Sequence, residues 1–171
     1  MQSTKIHKVL FWFLGNLIPL IPNTRLYGFK LTLYRLCGMK IGKYTRIHSK
    51  VIFDNTHVSI GENTFVGGYV RVIGHEDAWV KIGDNCDIGP NCLLVTGTHE
   101  LSNDANRRAG AGVAKPIRIG NGVWLGANVT VLSGVTIGDG AIIGAGSLVT
   151  KNVQDNVLAY GVPTKVIREL K

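Results

Sequence analysis

From Ile41 to Val149 the apolar positions recur on a step of six: Ile41, Ile47, Phe53; Ile60, Val66, Val72; Ile82, Ile88, Leu94; Ile119, Leu125, Val131; Ile137, Ile143, Val149. A step of six matches neither the 3.6-residue turn of a helix nor the two-residue alternation of a long strand. It suits a short strand plus a corner, repeated around a coil. Three such units close one turn, which predicts about five coils stacked into a solenoid. Glycine follows many of the aliphatic residues, as at Gly42, Gly61, Gly89 and Gly126, where a corner needs either positive φ or the absence of a Cβ. Four residues after each aliphatic position a small or β-branched residue recurs, from Thr45 and Val51 through Cys86, Cys92 and Thr98 to Ser147 and Val153. These residues are expected to form a second layer of a narrow core.

Both ends leave this pattern, dividing one domain into an apolar and amphipathic segment (1–40), the repeats (41–155) and a tail (156–171). The run Val9 to Ile21 is broken by Gly15, Asn16 and Pro19; at about thirteen residues it is too short to span a bilayer as a helix. It also lacks the small-residue cleavage site of a secretory signal. From Arg25 to Cys37, Leu26, Phe29, Leu33 and Leu36 fall at helical spacing among Arg25, Lys30 and Arg35. Such an amphipathic helix either caps the open first coil, or packs between subunits, or lies on a membrane surface; membrane contact is expected within residues 1–37. In the tail, VIREL predicts a short closing helix.

Charge sharpens the choice of partners. The net charge is +8 and the isoelectric point about 9.6, but the cations gather at the two ends with no interleaved aromatic platform, which argues against nucleic acid. A phosphorylated cofactor and a membrane surface remain. Cys37, Cys86 and Cys92 form no CxxC pair and suit a reducing cytoplasm, with any membrane contact at its inner face. Cys86 and Cys92 fall in the second core layer and read as small hydrophobes.

The repeat breaks once at length, over the 25 residues from Leu94 to Ile119. A loop of that size inside a compact fold is usually functional, and it is expected to protrude over about residues 96–117. Its first residues keep the step of six, so Thr98 and His99 should be held at the corner where the chain leaves the coil, beside a flexible arm. An imidazole there is suited to act as a general base. Three histidines, His57, His75 and His99, fall in the third units of successive coils. Converging on one edge they could bind zinc, although no two share a coil.

The hexad pattern, the segment TGTHEL, and the stretches KPIRIGNGVWLGANVTVLSGVTIGDGAIIGAGSLVTK and AYGVPTKVIREL resemble the hexapeptide-repeat acyltransferases, in particular the galactoside and maltose O-acetyltransferases. The resemblance implies an all-β, left-handed parallel β-helix, the exception to the usual right-handed crossover. It also implies a homotrimer with its site between subunits, acetyl-CoA as co-substrate, and a saccharide acceptor. Carried over residue by residue, His99 would be the general base and the backbone N–H of Ala127 would face the thioester oxygen. Trp124 would line the pantetheine groove, Ala145 would touch the pantetheine arm, Thr150 and Lys151 would sit near the adenine, and Lys165 and Arg168 would face the CoA phosphates. Lys165 stands where relatives often carry arginine, which removes a bidentate phosphate grip. On the acceptor side, Tyr69 replaces an asparagine and Asp77 aligns with an acidic residue facing the sugar. Arg107 and Arg108 are candidate clamps for an acidic sugar or lipid-linked pyrophosphate. The implied activity is O-acetyl transfer to a saccharide, and the apolar amino terminus suits an acceptor of cell-envelope polysaccharide or glycolipid synthesis. A metal-dependent hydratase resembling the carbonic anhydrases and a non-catalytic trimeric scaffold are the rival readings.

Overall fold

The computed structural model describes residues 5–22 and 24–171; residues 1–4 and 23 of the segment expected to meet a membrane lie outside the described residues. Helix α1 (Lys5–Leu17), a 3₁₀ turn (Ile18–Leu20) and α2 (Tyr27–Leu36) lead into the solenoid. Strands β1 (Lys40–Ile41), β2 (Arg46–Ile47) and β3 (Ile52–Phe53) make the first turn, and β4 (Val58–Ile60), β5 (Phe65–Val66) and β6 (Arg71–Ile73) the second. The third comprises β7 (Val80–Ile82), β8 (Asp87–Ile88) and β9 (Leu93–Val95). Then β10 (Gly97–Leu101) and β11 (Ala109–Ala114) leave the coil as a hairpin. The coil resumes with β12 (Ile117–Ile119), β13 (Trp124–Leu125), β14 (Thr130–Val131), β15 (Thr136–Ile137), β16 (Ile142–Ile143) and β17 (Leu148–Val149), and ends in β18 (Val157–Tyr160) and β19 (Lys165–Glu169).

The chain visits three parallel sheets in cyclic order. Sheet A stacks β1-β4-β7-β12-β15, sheet B stacks β2-β5-β8-β13-β16-β18 with β19 at its edge, and sheet C stacks β3-β6-β9-β14-β17. The architecture is a parallel β-helix, consistent with the left-handed form expected from the resemblance. Every aliphatic position of the hexad pattern is buried, and Val51, Cys86, Cys92, Val129 and Ala141 fill the second layer between them. Thr98 is the exception and is exposed: the chain leaves the coil two residues earlier, at the buried Thr96.

At the corners after sheets A and B the glycines following the aliphatic residue serve close stacking and not a left-handed turn. A Cβ on Gly126 would come within 2.6 Å of Ala145 N, closer than non-bonded atoms approach. The left-handed residue comes two positions later, where asparagine or glycine is usual: Asn63, Asn85, Asn91, Asn128, Gly140 and Gly146 all have positive φ.

The closing helix expected for VIREL is instead strand β19, antiparallel to β18. Five residues are too few to nucleate an isolated helix, β-branched Val166 and Ile167 favour extended backbone, and β18, which lies parallel to β16 past residue 155, offers an edge to pair with. At the other end α2 forms as expected, with Leu33 of its apolar stripe packed against the core and the rest of that stripe turned outward. Its buried residues are Lys30, Leu31 and Tyr34, whereas Leu26, Phe29 and Leu36 are exposed. The Tyr34 ring meets Phe53 edge-on at 5.4 Å, and Lys30 Nζ donates to Ser49 Oγ at 3.1 Å, so the bulky aromatic plugs the open first coil. Burial lowers the Lys30 pKa from its ordinary value.

Candidate active site

The interruption is a two-stranded antiparallel ribbon and not a flexible arm. Gly97 pairs with Ala114, Thr98 with Val113 and His99 with Gly112. Its neck is closed by Thr96, a residue sequence reasoning passed over. Thr96 N–H donates to Ile73 O (3.0 Å), its carbonyl accepts Lys115 N–H (3.0 Å) and Ser133 Oγ (2.7 Å), and its hydroxyl accepts His75 N–H (2.9 Å). The ribbon is thereby fastened to the β6–β7 connection below and to the β14–β15 corner above. A lone threonine between two apolar layers carries no sequence signal of this; only the stacking of coils reveals it.

His99 is exposed on this ribbon, and its Nδ1 lies 3.0 Å from Gly110 O. A carbonyl oxygen only accepts, so Nδ1 carries a proton, and in the neutral ring the lone pair is on Nε2. This fixes the tautomer a general base requires. Gly110 is needed at the contact, since a Cβ there would meet Glu100 O at 2.9 Å, while Gly112 opposite His99 has open space. At the ribbon tip Arg108 Nη1 reaches back to Ser102 O (3.4 Å) and Asn103 O (3.3 Å). Arg107 lines a shallow groove with Ser102, Asp104 and Gly110. The two arginines are therefore in different situations, with Arg108 holding the tip together.

The expected acceptor residues separate. Asp77 lies in the β6–β7 connection, with Oδ2 3.1 Å from His75 Nδ1, on a groove of about 400 Å³ that also takes His7, His57, Glu76 and Trp79. Glu76 accepts Lys8 Nζ at 2.7 Å, and that bond and charge hold its carboxyl below the usual carboxylate range. Tyr69 stands on another corner, between sheets B and C. It has φ +63° and its hydroxyl accepts Lys50 Nζ at 2.9 Å. His57, His75 and His99 are on three separate connections, and among the described residues no three metal-ligating side chains converge. Burial pushes the Cys92 thiol up to about 11 and raises that of Cys86 as well, as inert core thiols require.

Of the residues expected on the CoA side, Trp124, Lys165 and Arg168 share one face of sheet B. In sheet B, Trp124 pairs with Ile142, Ile142 with Leu158 and Leu158 with Arg168. Paired residues in register project from the same face, and Trp124 is 55% exposed, so the four make one row on the outer face. At roughly 4.8 Å per strand the row is about 14 Å long. A bulge at Ile167 aids it: Lys165 pairs with Tyr160 and Arg168 with Leu158, which puts two cations three residues apart on one face, where a regular strand would oppose them. Ala127 and Ala145 succeed each other on the adjacent corner, and the Ala127 N–H donates to no partner among the described residues. Thr150 and Lys151 lie apart from this row, exposed at the corner after β17.

Comparison with known proteins shows the family to which this fold belongs. Residues 116–151 match the family described as bacterial transferase hexapeptide (six repeats), and residues 79–99 match the hexapeptide repeat of succinyl-transferase. The solved galactoside acetyltransferase in complex with coenzyme A is 31% identical with a TM-score of 0.80, covering 100% of this chain and 86% of that one. The chain belongs to the hexapeptide-repeat acetyltransferases. A hexapeptide-repeat acetyltransferase of Vibrio cholerae O1 biovar eltor, solved with acetyl coenzyme A, is 28% identical with a TM-score of 0.78, covering 100% of this chain and 93% of that one. Galactoside O-acetyltransferase of Escherichia coli (strain K12) is 40% identical over 131 residues, 76% of this chain and 63% of that protein. The match thus spans less than two thirds of this curated relative.

Proposed function

We propose that the protein is an acetyl-CoA-dependent O-acetyltransferase that modifies a saccharide hydroxyl in cell-envelope polysaccharide or glycolipid synthesis, by direct transfer. The observation that carries the reading is the His99 Nδ1–Gly110 O bond, which leaves Nε2 as the free base on an exposed, ordered ribbon. Acetyl-CoA, when bound, supplies the activated acetyl group. The outer row of sheet B suits it: Trp124, Ile142 and Leu158 give an apolar strip for the arm, and Lys165 with Arg168 give cations for phosphate. Nε2 of His99 takes the proton of the acceptor hydroxyl as its oxygen attacks the thioester carbonyl. The Ala127 N–H donates to that carbonyl oxygen as charge develops on it. His99 then returns the proton to the departing thiolate, so no proton is gained or lost.

The ribbon bearing His99 leaves the prism at the corner between sheets C and A, opposite the outer face of sheet B. This placement supports a threefold homo-oligomer in which His99 of one copy faces the sheet B row of the next, with Asp77, Tyr69 and Arg107 as acceptor contacts. Contact of residues 1–37 with a membrane surface belongs to the same reading. Thiol release from acetyl-CoA, screened across saccharides, tests it. With a good acceptor, His99→Ala should lower kcat by about 10²–10⁴-fold with the circular dichroism unchanged; thiol release indifferent to that substitution would remove the assignment.

A further inference from the structure

Helix α1 presents its apolar side outward. Ile6, Val9, Phe13 and Leu17 share one face by their spacing, Trp12 borders it, and all five are exposed, with Trp12 at 66%. No residue of α1 is fully buried. The 3₁₀ turn adds Leu20, 79% exposed, and α2 adds Leu26, Phe29 and Leu36. The opposite side of α1 is tied to the solenoid by the Lys8–Glu76 ion pair and by Phe11, which packs against the core. Solvent therefore meets large apolar and aromatic side chains on both helices and on the turn between them.

The charge of the chain is concentrated at the same end. Nine of the 19 Lys and Arg residues and none of the 11 Asp and Glu residues precede Asp54, so the net charge of +8 resides wholly in the two helices and the first coil. The rest of the chain is close to neutral. Among the described residues no helix is long and apolar enough to cross a membrane. An exposed apolar helical face with Trp and Phe on it, at an end of the chain where cations are in excess, has the chemistry of a surface helix seated at an anionic interface.

We infer that the outer face of α1, the 3₁₀ turn and α2 docks on the surface of a bilayer carrying anionic lipids, with Trp12, Phe13, Leu17 and Leu20 entering the headgroup boundary and Lys5 and Arg25 meeting phosphate. This rests on the proposed membrane contact of residues 1–37 and specifies its face and lipid chemistry. Docking would set the 400 Å³ groove that holds Asp77, which His7 of α1 also lines, close to the lipid surface. A saccharide borne on a lipid would then reach the enzyme laterally.

Co-sedimentation of the full chain with vesicles tests the inference. Vesicles of phosphatidylcholine with phosphatidylglycerol should bind the protein and those of phosphatidylcholine alone should not. Trp12→Ser with Phe13→Ser should weaken binding at least about tenfold, and Lys5→Gln with Arg25→Gln should do so by about tenfold or more at low salt. Absence of binding to the anionic vesicles, or binding untouched by both pairs of substitutions, would overturn it. So would a Trp12/Phe13 variant that dissociates the oligomer in light scattering while the unaltered protein ignores vesicles, since the face would then cover a second copy of the chain. Thiol release with a soluble saccharide and no vesicles reports separately on the proposed chemistry. A protein that binds vesicles and releases no thiol keeps the docking face and loses the proposed function.

Discussion

Two corners of one prism are built from the same hexads and do different work. At the corner after sheet A each coil hands a side chain to the next. Asp84 Oδ1 accepts Glu62 N–H, Asn121 Oδ1 accepts Asp84 N–H, Asp139 Oδ1 accepts Asn121 N–H, and Asp155 Oδ1 accepts Asp139 N–H, all at 2.7–2.9 Å. This ladder satisfies corner N–H groups that no sheet reaches and leaves no room for an insertion. Among the described residues the corner after sheet C has no such ladder along its length, and the six-residue 74–79 connection and the ribbon of β10 and β11 both leave there. Where each corner is locked to the next the solenoid gains stability, and where the lock is missing it carries exposed side chains such as His99 and Asp77.

Substitutions should therefore separate by corner. The largest effect on stability is expected from Gly120→Val at the first corner, because a Cβ there would strike the Asp139 side chain and lie 2.8 Å from Asp139 N. A loss of about 3 kcal/mol, or roughly 6–12 °C in melting temperature, should follow, with thiol release per folded molecule unchanged. At the third corner, Thr96→Val keeps the backbone bonds of the neck and removes the acceptor of His75 N–H. It should cost about 1–2 kcal/mol of stability as a lost buried acceptor and, by loosening the neck of the ribbon, also lower kcat/KM about tenfold. Stability lost with activity intact would erase the distinction between the corners. Within the ribbon, Gly110→Ala should reduce kcat about threefold to tenfold by pushing the carbonyl away from His99 Nδ1, whereas Gly112→Ala should leave it unchanged. Steady-state kinetics on the pair isolates the tautomer-fixing contact from general ribbon strain.

The same contrast explains what could be read in the chain beforehand. The hexad columns were legible because burial in a stacked coil imposes one residue class per position, and all fifteen named aliphatic residues are buried. His99 stood out because the step of six fails beside it. Thr98 was misplaced in the core because the rule was carried two residues past the real exit at Thr96, and no local property of either threonine marks that exit. The helix expected at 166–170 failed for a related reason: the partner that selects strand, the open edge of β18, is set by topology. The helical spacing of α2 could be read in the chain, but which side faces the coil could not, since plugging the first coil uses the volume of Tyr34 and the reach of Lys30 together with Leu33 alone of the apolar stripe.

The smallest expected effect probes how α1 is held. Glu76 is exposed, and its carboxyl is kept below the usual carboxylate range first by the hydrogen bond from Lys8 and then by that residue's charge. A depressed folded-state pKa means that the unfolded chain binds the proton more readily, so the contribution is present above the usual carboxylate pKa and is lost as the pH falls through the lowered value. An exposed pair of this kind contributes little to global stability, and Glu76→Gln should leave the melting temperature unchanged. Its signature is local: amide hydrogen exchange in α1 should quicken slightly in Glu76→Gln at neutral pH and match the unaltered protein at a pH low enough to protonate the carboxyl. Equal exchange at both pH values would mean that Phe11 packing alone holds the helix, and that the third corner, through the 74–79 connection, has no part in orienting the helical end.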